Sequence, residues 1–531
     1  MPRSHRYGFA SVLLVWTALT CAQAPQAPVE PSEAPAPPRF EIRRFAVQGN
    51  TLLPAEDVDA IVAPFTGPDR DFGTVQQALE ALQQAYLDRG FNAVRVLVPE
   101  QDLVAGQVQL QVIEARIREV RVEGNKFFDD RNVRASLPSL RAGEPPNSQR
   151  IGENVQLANE NPAKQTSVRL EATDQVGGVD AVARVTDENP SRITLFMDNT
   201  GNSQTGQLRV GAGYMNSNMF NRDHLFSFQA ITSPENAHDV AIFGAGYKIP
   251  FYSTGSSVEV YGGHSDVDSG TVSGLFNVSG RGNIFGARFN QILPRQGAYE
   301  HKLSLGWDFR GFEQHVALIG SSETLVPNID VYPVSVGYSG RLSRVGSEFN
   351  FLVNASHNIP GGKNGSEDAF NGNRPGAEPD YSVYRLAFSY SRLLPADFLF
   401  RLAFAGQYTN NLLVPGEQFG LGGADNVRGF YEREESYDRG MRGTVEFYSP
   451  DVSPVIDWRA RFLTFFDSGR GADNEPVRNT PDGLDSAGVG VRLNRGRSIF
   501  FRADWAYVLN GTQTTRQRGS DRWHAAVGVT F

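Results

Sequence analysis

Residues 522–531 read Arg-Trp-His-Ala-Ala-Val-Gly-Val-Thr-Phe, which sets Trp523, Ala525, Val527, Val529 and Phe531 against Arg522, His524, Ala526, Gly528 and Thr530. A period of two with one apolar and one small or polar face is the pattern of a strand between two different media. The theme recurs where Val258 and Val260 alternate with Glu259 and Tyr261, and again from Arg385 to Tyr390. Followed back to residue 191, the alternation yields 16 candidate strands in 341 residues, about 21 residues for each strand with its connection. A membrane strand needs roughly 9 to 11 residues, so about half of the segment remains for turns and outer loops. An even strand number with short turns on one side and long loops on the other is the pattern of an antiparallel transmembrane barrel in a bacterial outer membrane. A soluble sandwich of this size rarely runs so many strands in one piece.

Upstream the texture changes. From Phe40 to about Asp187 charged, helix-period stretches replace the alternation, and an internal repeat appears when the sequence is slid by 75 residues. Val47, Gly49, Asn50, Leu52 and Val58 fall on Val122, Gly124, Asn125, Phe127 and Val133. Each copy reads as a strand (Glu41 to Val47; Ile117 to Val122), a Gly-Asn turn, two helices and two strands. In the first copy Thr74 and Gln77 predict a capping box, and Val75, Leu79, Leu82 and Tyr86 form one apolar helical stripe ending before Gly90. The closing strands are Val94 to Val98 and Gln107 to Ile113. In the second copy Ser148 precedes a helix carrying Ile151, Val155 and Ala158, followed by strands Thr166 to Ala172 and Val179 to Val185. The predicted division is 40–114 and 115–187 for the two small α+β modules and 191–531 for the barrel.

The first residues have a leader's pattern, with Arg3 and Arg6, an apolar core from Gly8 to Thr20 and small residues at Thr20-Cys21-Ala22, so 1–22 is expected to be a signal peptide. Residues 23–38 are a Pro/Ala linker in which Pro25, Pro28, Pro31, Pro35, Pro37 and Pro38 leave no room for a helix. The one cysteine, Cys21, lies in the leader, so no disulfide or thiolate site is expected in the mature chain.

The function classes narrow accordingly. With 50 Lys+Arg against 59 Asp+Glu the chain lacks the basic surplus of a nucleic-acid binder. No stretch after the leader is long and apolar enough for a membrane helix. Catalytic signatures are missing: there is no H-E-x-x-H, no Gly-Lys-Ser/Thr phosphate loop and no G-x-S-x-G, and the eight His are scattered. No catalytic residue, metal or cofactor is expected.

The β-α-α-β-β unit with V-x-G-N after its first strand resembles the polypeptide-transport-associated (POTRA) domain. Two such units before a barrel resemble the transporters of bacterial two-partner secretion, the haemolysin-activator and filamentous-haemagglutinin transporter family. Pro99, Gln101, Leu103 and Gly106 resemble a further recurring segment of that family. Two barrel motifs carry the resemblance further. Val427-Arg428-Gly429-Phe430, within the Gly-rich stretch from Val414 to Arg439, resembles the V-R-G-[FY] tip of a loop that folds back into the lumen. Phe465, Asp467 and Gly469 resemble its F-x-D-x-G partner, and the resemblance puts Phe465 and Asp467 on the inner wall facing Arg428.

The resemblance implies a fold of two POTRA domains and a 16-stranded outer-membrane barrel with the POTRA domains in the periplasm. It implies an outer-membrane pore that binds an unfolded exoprotein, bearing its own N-terminal secretion domain, and passes it to the surface of a Gram-negative cell without ATP. Outer-membrane lipid and, during biogenesis, the assembly machinery are the other implied partners. Phe531, with Val529 and Trp523, resembles the assembly signal, and the stripe Val75, Leu79, Leu82 and Tyr86 marks the first helix surface considered for the substrate. An assembly insertase of the same superfamily and a passive porin are the alternatives.

Overall fold

Two Gly-Asn turns explain the repeat. The computed structural model describes residues 38–531 except 203–204, 239, 268–269, 273–275, 279–280, 314–325, 476–481 and 513. The expected leader and all of the linker but Pro38 lie outside the described residues. In the first module Gly49 has φ +81°, and a Cβ placed on it would meet the Val112 carbonyl oxygen at 2.3 Å. Gly124 repeats this with φ +87° and Val185 O at 2.5 Å. Only glycine tolerates both the left-handed backbone and that approach. Asn50 then closes the turn, its side chain donating to Leu53 O at 2.8 Å and accepting from Leu53 N at 3.0 Å, and Asn125 donates to Phe128 O at 2.8 Å. A carboxylate from the module's last strand collects the turn's amides: Glu114 accepts from Thr51 N and Leu52 N, and Asp187 from Lys126 N, Phe127 N and Phe128 N.

The first module runs β1 (Phe40–Ile42), β2 (Arg44–Gln48), α1 (Ala55–Val62), β3 (Gly67–Arg70), α2 (Phe72–Asp88), β4 (Val94–Leu97) and β5 (Gln107–Glu114). The expected single first strand is broken at Arg43, and its first part pairs with β3 instead of the main sheet. The helix also starts earlier than the capping-box reading. Asp71 is the N-cap, accepting from Thr74 N, a bond that holds the Asp71 carboxyl below its ordinary range. The second module runs β6 (Arg116–Glu123), α3 (Asp130–Ser136), α4 (Ser148–Ala158), β7 (Lys164–Ala172) and β8 (Gly178–Asp187). Both sheets have one topology, β2-β5-β4 and β6-β8-β7, with the last strand central and parallel to the first.

The apolar stripe of α2 turns into the module. Val75, Leu82 and Tyr86 are buried and Leu79 packs against the same core. Tyr86 also donates to Asn50 Oδ1 at 2.6 Å, and burial, with the nearby Glu114 charge, pushes its phenol up to about 12. These four residues therefore close the core beneath the sheet and are not a substrate surface, a correction that follows from the stripe having one sheet to cover.

Sixteen antiparallel strands close the barrel, from Ser191–Asp198 to Asp521–Thr530; the short Ile329–Val331 extends the eighth strand, Pro333–Arg344. The last strand pairs with the first from Ala526↔Asp198 to Thr530↔Thr194, and Phe531 N donates to Ile193 O at 2.9 Å beyond them. Trp523 and Phe531 are exposed on the outer face while His524 and Ala526 are buried toward the lumen, as the alternation predicts. The second module is seated on the barrel's periplasmic turns by buried polar contacts. Lys164 pairs with Asp223, which also accepts from Tyr252, and Asn161 and Asn154 donate to Ser217 O and Tyr252 O, each at 2.7 Å.

Gly49→Ala should loosen the first module alone, since strain of this kind costs about 1 to 3 kcal/mol before the clash is counted. Limited proteolysis of the full-length protein should show faster cleavage within residues 40–114 while the barrel stays resistant; unchanged cleavage would contradict this account of the turn.

Candidate functional site

Between the eleventh strand (Leu399–Tyr408) and the twelfth (Arg439–Tyr448) the chain does not stay outside. Leu413 and Val414 are buried with Phe370, Tyr381 and Ile329 in an apolar cluster of the outer loops. The chain then forms a small hairpin, Phe419–Leu421 paired with Glu435–Tyr437, and its tip descends to the inner wall. The glycine at the tip has a definite task. Gly429 has φ +96°, and a Cβ there would lie 3.2 Å from Val508 Cγ2.

Arg428 is almost wholly buried and its hydrogen bonds go to the wall. Nε and Nη2 donate to the two oxygens of Asp467 at 2.7 and 2.8 Å, the planar fork for which arginine is suited. The Arg428 backbone N–H adds a third bond to Asp467 at 3.1 Å. Nη1 donates to Glu446 at 2.9 Å, Asp504 lies 3.7 Å away, and the guanidinium carbon sits 3.4 Å from the centre of the Phe465 ring.

Three acids around one cation would be a poor balance, but two have cations of their own. Arg401 lies 3.4 Å from Glu446, and Arg492 donates to both oxygens of Asp504 at 2.7 and 2.9 Å. Among the described residues Asp467 pairs with no other cation within hydrogen-bond reach, which makes it Arg428's committed partner.

Phe430 fills an apolar recess with Leu421, Tyr437, Leu484 and Val508, and Val427 is buried beside it. Gly469 leaves that space open, because a Cβ on it would meet Leu421 Cδ2 at 2.8 Å and Val427 Cγ2 at 3.1 Å. Gly429 N–H donates to His524 Nε2 at 2.9 Å, so the tip also touches the last strand. The structure thus brings together Val427, Arg428, Gly429 and Phe430 with Phe465, Asp467 and Gly469. Glu446, Asp504 and His524 complete the seat; sequence reasoning did not single them out for it. In register Glu446 stands opposite Phe465 and Asp504 opposite His524, which puts all four on the inner face.

Comparison with known proteins accords with this architecture. Residues 177–493 match the family described as haemolysin secretion/activation protein ShlB/FhaC/HecB, and residues 40–115 match the ShlB-type POTRA domain. The chain belongs to this family. It is an outer-membrane transporter of the two-partner secretion type, with its POTRA domains in the periplasm. The outer membrane transporter CdiB of Dickeya dadantii is 24% identical over 491 residues, covering 88% of this chain and 83% of that protein. The heme/hemopexin transporter protein HuxB of Haemophilus influenzae is 20% identical over 471 residues, covering 87% and 81%. Among solved structures, CdiB from Escherichia coli superposes with a TM-score of 0.74 at 19% identity, covering 94% of this chain and 92% of that one.

Arg428→Ala and Asp467→Ala should each lower export of the partner protein by at least tenfold, since breaking one side of a buried pair is worth ~3 to 5 kcal/mol. The double variant should be little worse than either, as paired residues act as one unit. Export measured in culture medium at equal surface levels checks this, and additive losses would separate the two residues.

Proposed function

We propose that this transporter takes up its exoprotein partner as an extended, unfolded chain on the POTRA modules and passes it through the barrel to the surface without ATP. The observation that carries the reading is the lid: a loop of the chain itself enters the lumen and is held on its wall only by non-covalent contacts that an arriving polypeptide can replace. A passive porin has no need of two modules seated on its periplasmic mouth.

Extended chains bind sheet edges through main-chain hydrogen bonds, with side-chain pockets supplying selectivity. The two modules differ in what their edges offer. On β4 the outward groups are engaged by a helix side chain, Gln83, which donates to Val94 O at 2.8 Å and accepts from Val96 N at 2.9 Å. On β7 Asn159 engages only Thr166 in this way, at 3.0 and 2.6 Å. The rest of β7, from Val168 to Ala172, pairs with no further strand among the described residues. That edge is the docking strand this reading favours. Folding of the exoprotein outside the cell supplies the direction, because a folded chain does not slide back.

Deleting residues 40–114, or 115–187, should leave a barrel inserted in the membrane, because its strands pair among themselves, yet abolish export. Export that persists without either module would overturn docking through them. Phe531, with Val529 and Trp523, serves assembly in this reading. Its removal should lower the amount of barrel in the membrane, and an unchanged surface level would remove it from that role.

A further inference from the structure

The lid is held at a second place with the charges reversed. Just before the hairpin, Pro415–Glu417 makes a single 3-10 turn, and the Glu417 side chain is only 2% exposed. Its carboxylate accepts from Arg310 Nη1 at 2.7 Å and lies 3.7 Å from Arg385 Nη2. Its backbone oxygen accepts from Gln407 at 3.0 Å. Arg310 is itself braced: Nη2 donates to Asp308 at 2.7 Å, and the Asp308 carboxylate also accepts from the Tyr261 hydroxyl and lies 3.4 Å from Arg288.

The ring order gives these contacts meaning. Arg310 and Asp308 stand on the seventh strand (Tyr299–Phe312), Arg288 on the sixth (Gly282–Ile292) and Tyr261 on the fifth (Ser256–Ser265). Asp467, Asp504 and His524 stand on the thirteenth, fifteenth and sixteenth. In a closed ring of sixteen, positions seven and fifteen face each other across the lumen. The tip therefore offers a cation to carboxylates of the twelfth, thirteenth and fifteenth strands, and the stem offers an anion to Arg310 on the seventh, which faces the fifteenth, with Arg385 of the tenth beside it. A loop held at its tip alone could swing toward that one side. A loop also drawn by its stem to the facing strands spans the lumen.

We infer that Glu417 and Arg310 form a second lock, of reversed polarity, which holds the stem of the lid across the lumen and stabilises the closed state independently of the Arg428–Asp467 pair. Glu417 is in this sense a positioning residue for the gate. The inference rests on reading the loop as the pore's lid, but its test involves no exoprotein.

Purified full-length Glu417→Gln, Arg310→Gln and the double variant are placed in planar lipid bilayers and their ion conductance recorded, with the gel mobility of the folded barrel checked to match the wild type. Each single variant should raise the open-state population by about tenfold, the lower end for losing a hydrogen bond to a charged group. The double variant should add little to that, whereas Glu417→Gln combined with Arg428→Ala should multiply the two effects, since the pairs lie on separate walls. Wild-type conductance in both single variants, independent effects within the Glu417–Arg310 pair, or no gain on adding Arg428→Ala would each overturn the second lock. Such a failure would leave export through the POTRA modules untouched, because that reading is decided by the module deletions.

Discussion

A guanidinium buried against a carboxylate inside a pore is the constraint around which the barrel is arranged. Taking Arg428 and Asp467 out of water costs several kcal/mol for each ion, and the attraction between them recovers this only where the remaining donors and acceptors are satisfied. The structure meets that condition. Both Asp467 oxygens accept from the fork, one also accepts the Arg428 backbone N–H, and Nη1 goes to Glu446. Phe465 covers one face of the guanidinium. Glycine at 429 lets the tip approach the wall, and glycine at 469 leaves room for Leu421 and Val427 beside it. A contact this demanding is strong when complete and fails as a unit when disturbed, which suits a gate better than a permanent weld.

The same economy appears in the periplasm. Each module turns at a glycine that lies against a backbone oxygen of its own central strand, and each gathers the turn's amides on one carboxylate, Glu114 or Asp187. Asp187 is the last residue of its strand and the barrel starts at Ser191, so the turn that orders the second module lies at the barrel's entrance. Lys164, Asp223 and Tyr252 continue that polar seam into the barrel's turns. A module fixed in this way presents its β7 edge from a defined place at the pore mouth.

Much of this was legible in the sequence because period two and the Gly-Asn repeat are local signals. Trp523 to Phe531 disclosed the inner and outer faces, and the pairing of Arg428 with Asp467 followed from two motifs that resemble a known pair. The stripe at Val75, Leu79, Leu82 and Tyr86 was legible as a stripe, yet its spacing cannot tell a core face from a docking face, and the sheet claimed it. The helix start was misplaced at Thr74 because Asp71, three residues earlier, offers a carboxylate to the same amide. Glu446, Asp504 and Glu417 were out of reach for a different reason. Each gains its role where the re-entrant loop meets the wall, and no single strand's pattern records where that loop comes to rest.

The central claim is that the lid must leave its seat for the exoprotein to pass. Asp425 on the lid and Arg502 on the fifteenth strand are the pair to join, since their side chains form an ion pair outside the Arg428 seat, so cysteines there lie within reach of a short bis-methanethiosulfonate cross-linker whose bonds are reducible. Export by Asp425→Cys/Arg502→Cys is measured on one preparation of cells, cross-linked and then reduced, with cross-linking read from gel mobility. The account predicts that export stops while the bond is formed and resumes when it is reduced. Equal export by the cross-linked and the reduced protein would contradict it, because the polypeptide would then be passing with the lid still in place.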